Sequence, residues 1–253
     1  MKVSVITAVL NNRDTLKDSM ESVTAQSYGN VEQIIIDGGS TDGSLAIIKE
    51  YAHKNVKVVS ERDQGVYDAL NKGIRLSTGD IIGFLHGDDF YAHDKVLERV
   101  VAVFKDRNVD SCYGDLQYVD KSDRNRVIRN WNSADYWPGK FKYGWMPPHP
   151  TFFVKRTIYL EYGEFNTDFR IAADYELMLR FLELYRISTY YIPDVLVKMR
   201  FGGMSNKSLR NILIKSSEDY KAWKVNDLNG GLWPIFFTIF LKNVSKIPQF
   251  LKI

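Results

Sequence analysis

The chain has a single cysteine among its 253 residues, Cys112, so no internal disulfide can staple it. It also lacks a secretory pattern at its start, because Met1 runs straight into a strand-like segment. Together these two absences lead to the expectation of a reducing, cytoplasmic setting. An excess of one charge is missing too: 34 Lys and Arg face 31 Asp and Glu, for a net charge of +3. Nucleic-acid binding normally leaves a strong basic footprint, and none is present. No internal repeat, low-complexity tract or linker-like stretch interrupts the sequence, which excludes solenoids and arrays. A long apolar run is likewise absent. The stretch Trp233 to Leu241 is too short to cross a bilayer, which needs about 20 apolar residues. With Lys242, Lys246 and Lys252 behind it, the tail reads either as an interfacial segment or as a terminal helix packed on its own domain.

What remains is an ordinary globular balance, 45% hydrophobic and 26% charged, in a chain long enough to bury a full core. The first half alternates two periods. Lys2–Val9 is an apolar run rich in valine and isoleucine that reads as a buried strand, and Val31–Ile36, the short Val56–Val59 and Ile81–Leu85 read as a second, third and fourth strand. Between them, Leu16, Met20 and Val23, then Leu45, Ile48 and Tyr51, recur at helical spacing, and Gly65–Leu76 reads as a third helix. Asn12 or Asp14 is available to cap the first helix, and Thr41 or Asp42 the second. Alternating strands and helices predict a largely parallel sheet covered on both faces, with ligands at the carboxyl ends of the strands. The polar clusters fall there: Thr7–Asn11, Asp37, Glu61–Asp63 and Asp88-Asp89. The second half is less regular. Ser111–Val119 and Arg126–Trp131 read as antiparallel strands, 133–150 as an aromatic loop, and 151–154 as a short strand. Tyr175–Leu184 reads as a helix, Ile187–Ile192 and Val195–Phe201 as two strands, and Ser205–Val225 as a last helix.

Asp88-Asp89 is the sharpest local feature. Adjacent carboxylates after a buried strand repel each other, and a hard divalent ion such as Mg²⁺ or Mn²⁺ relieves that by bridging them to phosphates. A solvated turn before a helix would use the same residues. Asp37 before Gly38-Gly39-Ser40 suits a hydrogen bond to a base or ribose, or an Asx turn.

In their order, Ser4-Val5-Ile6-Thr7 with Asn11, Val31-Glu32 to Ile36-Asp37-Gly38-Gly39-Ser40-Thr41-Asp42-Gly43, Asp63-Gln64-Gly65-Val66-Tyr67-Asp68-Ala69-Leu70-Asn71-Lys72-Gly73-Ile74, Gly79-Asp80 and Asp88-Asp89 resemble the family 2 inverting glycosyltransferases. The likeness covers residues 1 to about 205 and is strongest to the subgroup that builds bacterial O-antigen and capsular polysaccharide. It implies an α/β GT-A fold, with a mixed, mainly parallel sheet flanked by helices and a C-terminal helical extension. It divides the chain into a GT-A domain over 1–205, with a nucleotide half (1–110) and an acceptor half (111–205), and an extension over 206–253. It also implies a nucleotide-sugar donor, most often a UDP-sugar, and Mn²⁺ or Mg²⁺. Carried over by position, Thr7 and Asp37 contact the uracil with Asp63 and Asn11 nearby, and Asn71 and Lys72 lie where a helix approaches the nucleotide. Asp88 holds the ribose or the donor sugar, and Asp89 ligates the metal.

The family's catalytic Glu-Asp pair, at the start of a helix, corresponds here to Ala173-Asp174. Asp174 keeps the place of the base that deprotonates the acceptor, although an Asp there also suits a helix cap. Arg200, ahead of Phe201-Gly202-Gly203-Met204-Ser205, matches a segment that closes near the diphosphate. His149, placed by Pro148 and Pro150, is a candidate acceptor contact, and Trp131, Trp137 and Trp145 border the same loop as stacking or core residues. The activity implied is transfer of one sugar to a hydroxyl of a glycan acceptor, lipid-linked at the inner membrane face and met through the C-terminal tail. Two rivals stand beside it. A metal-dependent sugar nucleotidyltransferase usually opens on a glycine-rich phosphate loop, which Thr7–Asn12 is not. A non-catalytic nucleotide-sugar-binding subunit would be expected to have lost Asp37, Asp88, Asp89 and Asp174.

Overall fold

A computed structural model describes residues 1–51, 55–202 and 209–228. The first half forms strands β1 (Val3–Val9), β2 (Val31–Asp37), β3 (Val56–Ser60) and β4 (Ile81–Phe84) and helices α1 (Arg13–Thr24), α2 (Ser44–Tyr51) and α3 (Val66–Leu76). Then follow β5 (Asp89–Tyr91), α4 (Val96–Arg107), β6 (Ser111–Val119), β7 (Val127–Trp131), β8 (Phe153–Lys155), α5 (Arg156–Tyr162), α6 (Ala173–Leu179), β9 (Thr189–Arg200) and α7 (Leu209–Val225). The strands make one mixed sheet in the order β3-β2-β1-β4-β8-β6-β9-β5, with β7 paired to β6.

All seven residues of β1 are buried. A strand covered on both faces has no use for polar alternation, which is why it reads as a continuous apolar run. On one side α1 and α2 close over Val9, Leu16, Met20, Ile35 and Ile48. A larger core gathers Val5, Val100, Phe104, Leu116, Phe153 and Leu196 under α4. Helix α3 approaches β1 so closely that a Cβ on Gly73 would stand 2.3 Å from Ile6 Cγ2. Only glycine fits there, and its absence of a side chain sets how near the helix lies to the strand.

The first four strands are parallel, as their spacing predicts, and β6 and β9 add a second parallel pair. The other four pairings, β4–β8, β5–β9, β6–β7 and β6–β8, are antiparallel. The segments 187–192 and 195–201, which read as two strands, form one continuous β9. Pro193 has no N–H to give to a ladder, and the pairing to β6 shifts register on either side of Asp115 to pass it. The helix expected over 175–184 begins at Ala173 and runs as α-helix to Leu179. A π-helical turn carries it on over Arg180–Leu184.

The chain groups into two compact units. One holds residues 1–135, 147–165 and 188–201, and so carries the whole sheet. The other holds 136–146, 166–187 and the described residues from Gly202 on, including α6 and α7.

Candidate active site

Because β3, β2, β1 and β4 are parallel neighbours, their carboxyl ends share one edge, and hydrogen bonds stitch those ends into a row. Asp37, at the end of β2, is fully buried and accepts from Ser60 Oγ at the end of β3 (2.6 Å) and from the Ser40 amide (3.2 Å). Asn11 takes a left-handed backbone (φ 54°), a conformation asparagine tolerates better than most residues. Its amide donates to Ser40 Oγ and its Oδ1 accepts from the Thr41 amide, both at 2.9 Å, so it ties the β1 loop to the β2 loop. Asn12 stands at the N-cap position of α1 without capping it. Its Oδ1 accepts from the Leu10 amide instead. Thr7 is buried inside the strand pair, where its hydroxyl accepts from Gln33 Nε2 at 3.0 Å.

Asp63 and Lys72 form a second group on the same edge. Lys72 Nζ lies 2.6 Å from Asp63, 2.8 Å from Glu61 and 3.4 Å from Asp68. Hydrogen bonds to Asp63 and Glu61 raise its pKa above the usual lysine value. Gly38 leaves the room Asp63 occupies, since a Cβ there would stand 3.0 Å from Asp63 Oδ2. Asn71, one residue before Lys72, is buried, and both ends of its amide grip the Phe165 backbone at 2.9 Å.

The acidic turn after β4 is fastened from several sides. The Leu85 and Gly87 amides donate to Ile6 and Ala8 of β1. From α1, Ser19 and Thr15 hydroxyls donate to the carbonyls of His86 (3.0 Å) and Gly87 (2.9 Å). Arg200, at the end of β9, donates from Nη1 to the Asp88 carbonyl at 2.7 Å, pairs through Nη2 with Asp18, and lies over the Phe90 ring. Nothing in the sequence pattern singles out Asp18, because its partner is 182 residues away. His149 faces His86 with their Nε2 atoms 3.3 Å apart.

Asp89 is the outlier of this turn. It is 1% exposed, and among the described residues neither carboxylate oxygen makes a well-formed hydrogen bond, the Arg200 main chain giving it only minor relief. Burial, and then the neighbouring Asp88 charge, push its carboxyl well above the usual range, with Arg200 opposing them. A buried carboxylate without donors is costly unless it takes a proton or a cation. Two buried carboxylate oxygens so poorly satisfied suit a hard divalent ion. Among the described residues no three His, Cys, Asp or Glu side chains converge as a cage, so a cation here would complete its shell from phosphate and water.

Asp174 belongs to the second unit, in the first turn of α6. It is not the cap of that helix. Ala172 holds the N-cap position, and the amides of Arg170, Ile171 and Ala172 all donate to Glu218 of α7 at 2.8–2.9 Å. Burial lowers the pKa of Lys215, but Asp219 and Asp174 outweigh it and keep that ammonium charged. Glu176, two residues on, is buried against Arg180 and Asn226. Neither Glu218 nor Lys215 stands out in the sequence, where both look like polar positions of one more helix.

A strand-end donor edge on a mixed sheet, with an orphaned carboxylate in a double-Asp turn, defines a class, and comparison with known proteins gives it a family. Residues 4–170 match the family described as Glycosyl transferase family 2, and the chain belongs to it: it is a glycosyltransferase of GT-A fold. A PGL/p-HBAD biosynthesis glycosyltransferase of Mycobacterium bovis (strain BCG / Pasteur 1173P2) is 30% identical over 213 residues, 80% of this chain and 78% of the relative. An uncharacterized glycosyltransferase of Mycobacterium tuberculosis (strain ATCC 25618 / H37Rv) is 35% identical over 181 residues, 70% of this chain and 68% of its own. Among solved structures, S. aureus TarS 1–349 in complex with UDP-GlcNAc superimposes with a TM-score of 0.72 at 17% identity, covering 96% of this chain and 72% of that one. The mannosyltransferase PcManGT from Pyrobaculum calidifontis, in complex with GDP-Man and Mn²⁺, gives 0.65 at 18%, covering 97% and 69%. At such identities the likeness is one of fold.

Proposed function

We propose that this glycosyltransferase moves a single sugar from a UDP-sugar to a hydroxyl of a lipid-linked glycan acceptor, with inversion, in the building of a bacterial surface polysaccharide. The observation that carries the donor half of this reading is the unpartnered, buried Asp89 beside Asp88 at the end of β4, in line with Asp37 and Asp63 at the neighbouring strand ends. Asp37 and Asp63 would meet the base, with Asn11 fixing the loop between them and the Thr7 main chain beside it. Lys72 would hold Asp63 in place, and Asn71 would steady α3 through Phe165. Asp88 would hold the ribose or donor sugar.

Asp89 would hold Mn²⁺ or Mg²⁺, whose chemistry is to neutralise charge on the departing diphosphate. Arg200 would keep the Asp88 turn in shape and add positive charge beside it. Asp174 would take the proton from the acceptor hydroxyl as that oxygen attacks the anomeric carbon, opposite the leaving group. One displacement of this kind inverts the anomeric configuration. His149 would lie on the acceptor side. By division of the chain, 1–205 would carry transfer and 206–253 would be an extension. The apolar run Trp233 to Leu241 lies outside the described residues, and its sequence supports contact with a membrane surface. No helix among the described residues is long and apolar enough to cross a bilayer.

Calorimetric titration of UDP tests the donor reading. Wild type is expected to bind UDP in the presence of Mn²⁺ and much more weakly without it, and Asp89→Ala to lose the metal-dependent part. Failure of wild type to bind UDP in both conditions would sink the UDP-sugar assignment and send the search to other nucleotides.

A further inference from the structure

The segment 136–146 reads Tyr-Trp-Pro-Gly-Lys-Phe-Lys-Tyr-Gly-Trp-Met, with five aromatic residues, two lysines and no acid. It does not fold as one apolar knot. Phe141 is fully buried, with its ring 5.4 Å from that of Trp145 and 5.7 Å from Tyr175. The Gly139 amide donates to both oxygens of Glu183 at 2.9 Å, and Tyr136 OH donates to the Leu182 carbonyl at 2.9 Å. These ties hold the segment by its buried side while its tip is turned to solvent. Trp137 is 48% exposed and Tyr143 70%, their ring centroids 5.5 Å apart. Lys142 is exposed between them in sequence, and Lys140 lies over the Trp145 ring at 4.4 Å.

Two large rings in contact with each other and left in water are costly unless something covers them. Their neighbours decide what. A platform for a sugar pairs a ring face with side-chain amides or carboxylates that bind hydroxyls. Here Glu183, the carboxylate that ties the loop down, already accepts from Gly139, Asp135 borders the segment at its base, and the tip itself offers Pro138 and Lys142. A tip of Trp and Tyr with lysine, and no acid at the tip itself, has the chemistry that partitions into the headgroup layer of a negatively charged bilayer.

We propose that the 136–146 loop seats on an anionic membrane surface, with Trp137 and Tyr143 inserted among the headgroups and Lys142 against lipid phosphate. The inference extends the membrane contact suggested for the C-terminal tail to a second segment, and it does not rest on the tail or on the donor assignment. Two elements of this kind would hold the enzyme better than one, since a single weak anchor gives only reversible attachment.

The full chain is tested by flotation with phosphatidylcholine vesicles with and without one third phosphatidylglycerol. Wild type is expected to bind the anionic vesicles, Trp137→Ser/Tyr143→Ser to bind about tenfold more weakly, and Lys142→Glu about fivefold more weakly. Brominated acyl chains are expected to quench wild-type tryptophan fluorescence more than that of Trp137→Phe. Calorimetric UDP binding by the same variants keeps the outcome separate from the donor reading and reports that they are folded. The proposal is overturned if the loop variants bind vesicles as wild type does, including the case in which only a Phe236→Ser/Phe237→Ser tail variant is released. It is overturned equally if the loop variants keep vesicle binding and lose affinity for a soluble oligosaccharide, which would make the loop a glycan platform.

Discussion

Single residues in this chain are set apart by what their polar atoms lack or have. Asp174 and Glu176 both lie in the first turn of α6, where Glu176 is closed off by Arg180 and Asn226 and Asp174 helps to keep the Lys215 ammonium charged. With Asp174 as the proposed base, Asp174→Asn is expected to lower kcat by about 10²–10⁴ while leaving UDP binding and thermal stability near wild type, read by single-turnover kinetics and calorimetry. An equal loss of UDP affinity would show Asp174 to be structural. Glu32 is the opposite case. Burial pushes its carboxyl up, but Lys2, the Ser4 hydroxyl, the Thr78 amide and Lys57 outweigh burial and hold it well below the usual range. A depressed carboxyl adds stability above its unfolded pKa, about 4.3, and loses it as pH falls towards the folded value. Glu32→Gln is expected to cost about 1–3 kcal/mol at pH 7, with the two lysines half in solvent. The gap between variant and wild type should shrink in urea melts taken at pH 3, and a gap that grows there would reverse the assignment.

At the scale of elements, the fit of α3 on β1 fixes where Lys72 and the Asp63 loop stand. Gly73 is the point of closest approach, with Ile6 in the space a side chain would need. Gly73→Ala must push the helix off the strand, and overpacking of this kind costs about 1–3 kcal/mol. Urea unfolding should show that loss, and a weaker UDP affinity should accompany it as the helix carries Lys72 outward. Retained stability and affinity would mean that the helix has more freedom than its packing implies. The short β5 works in a similar way. It pairs with β9 through Asp89 and Met199, which brings Arg200 to the Asp88 carbonyl. The acidic turn is thus held in shape by a strand more than a hundred residues later.

For the whole molecule, binding to the folded state alone must raise its stability. UDP with Mn²⁺ at about 100 times Kd adds about 2.7 kcal/mol, which for a chain of this size is a rise in Tm of about 5–10 °C. Thermal melts should show it in wild type and not in Asp89→Ala, and an equal rise in both would place the donor elsewhere. How much of this was open to sequence reading follows from the range of the interactions. The parallel first half was legible because strands such as β1 and β4, buried on both faces, read as short, largely apolar runs, and the polar strand ends mark the edge where Asp37, Asp63, Asp88 and Asp89 line up. The second half was less so. Two runs in 187–201 merged into one strand, since a register shift against β6 passes Pro193, and no local pattern announces a register. The sequence by itself determined the alternating strands and helices of the first half, the family, and the acidic residues at the strand ends, because periodicity and short motifs are local. Only the tertiary structure decided which of those residues are closed off and which are left wanting a partner. Asn71 gripping Phe165, Arg200 paired to Asp18, Glu218 at the head of α6 and Asp89 with its buried oxygens poorly satisfied among the described residues depend on contacts between distant segments, which burial and hydrogen bonding settle only once the chain is folded.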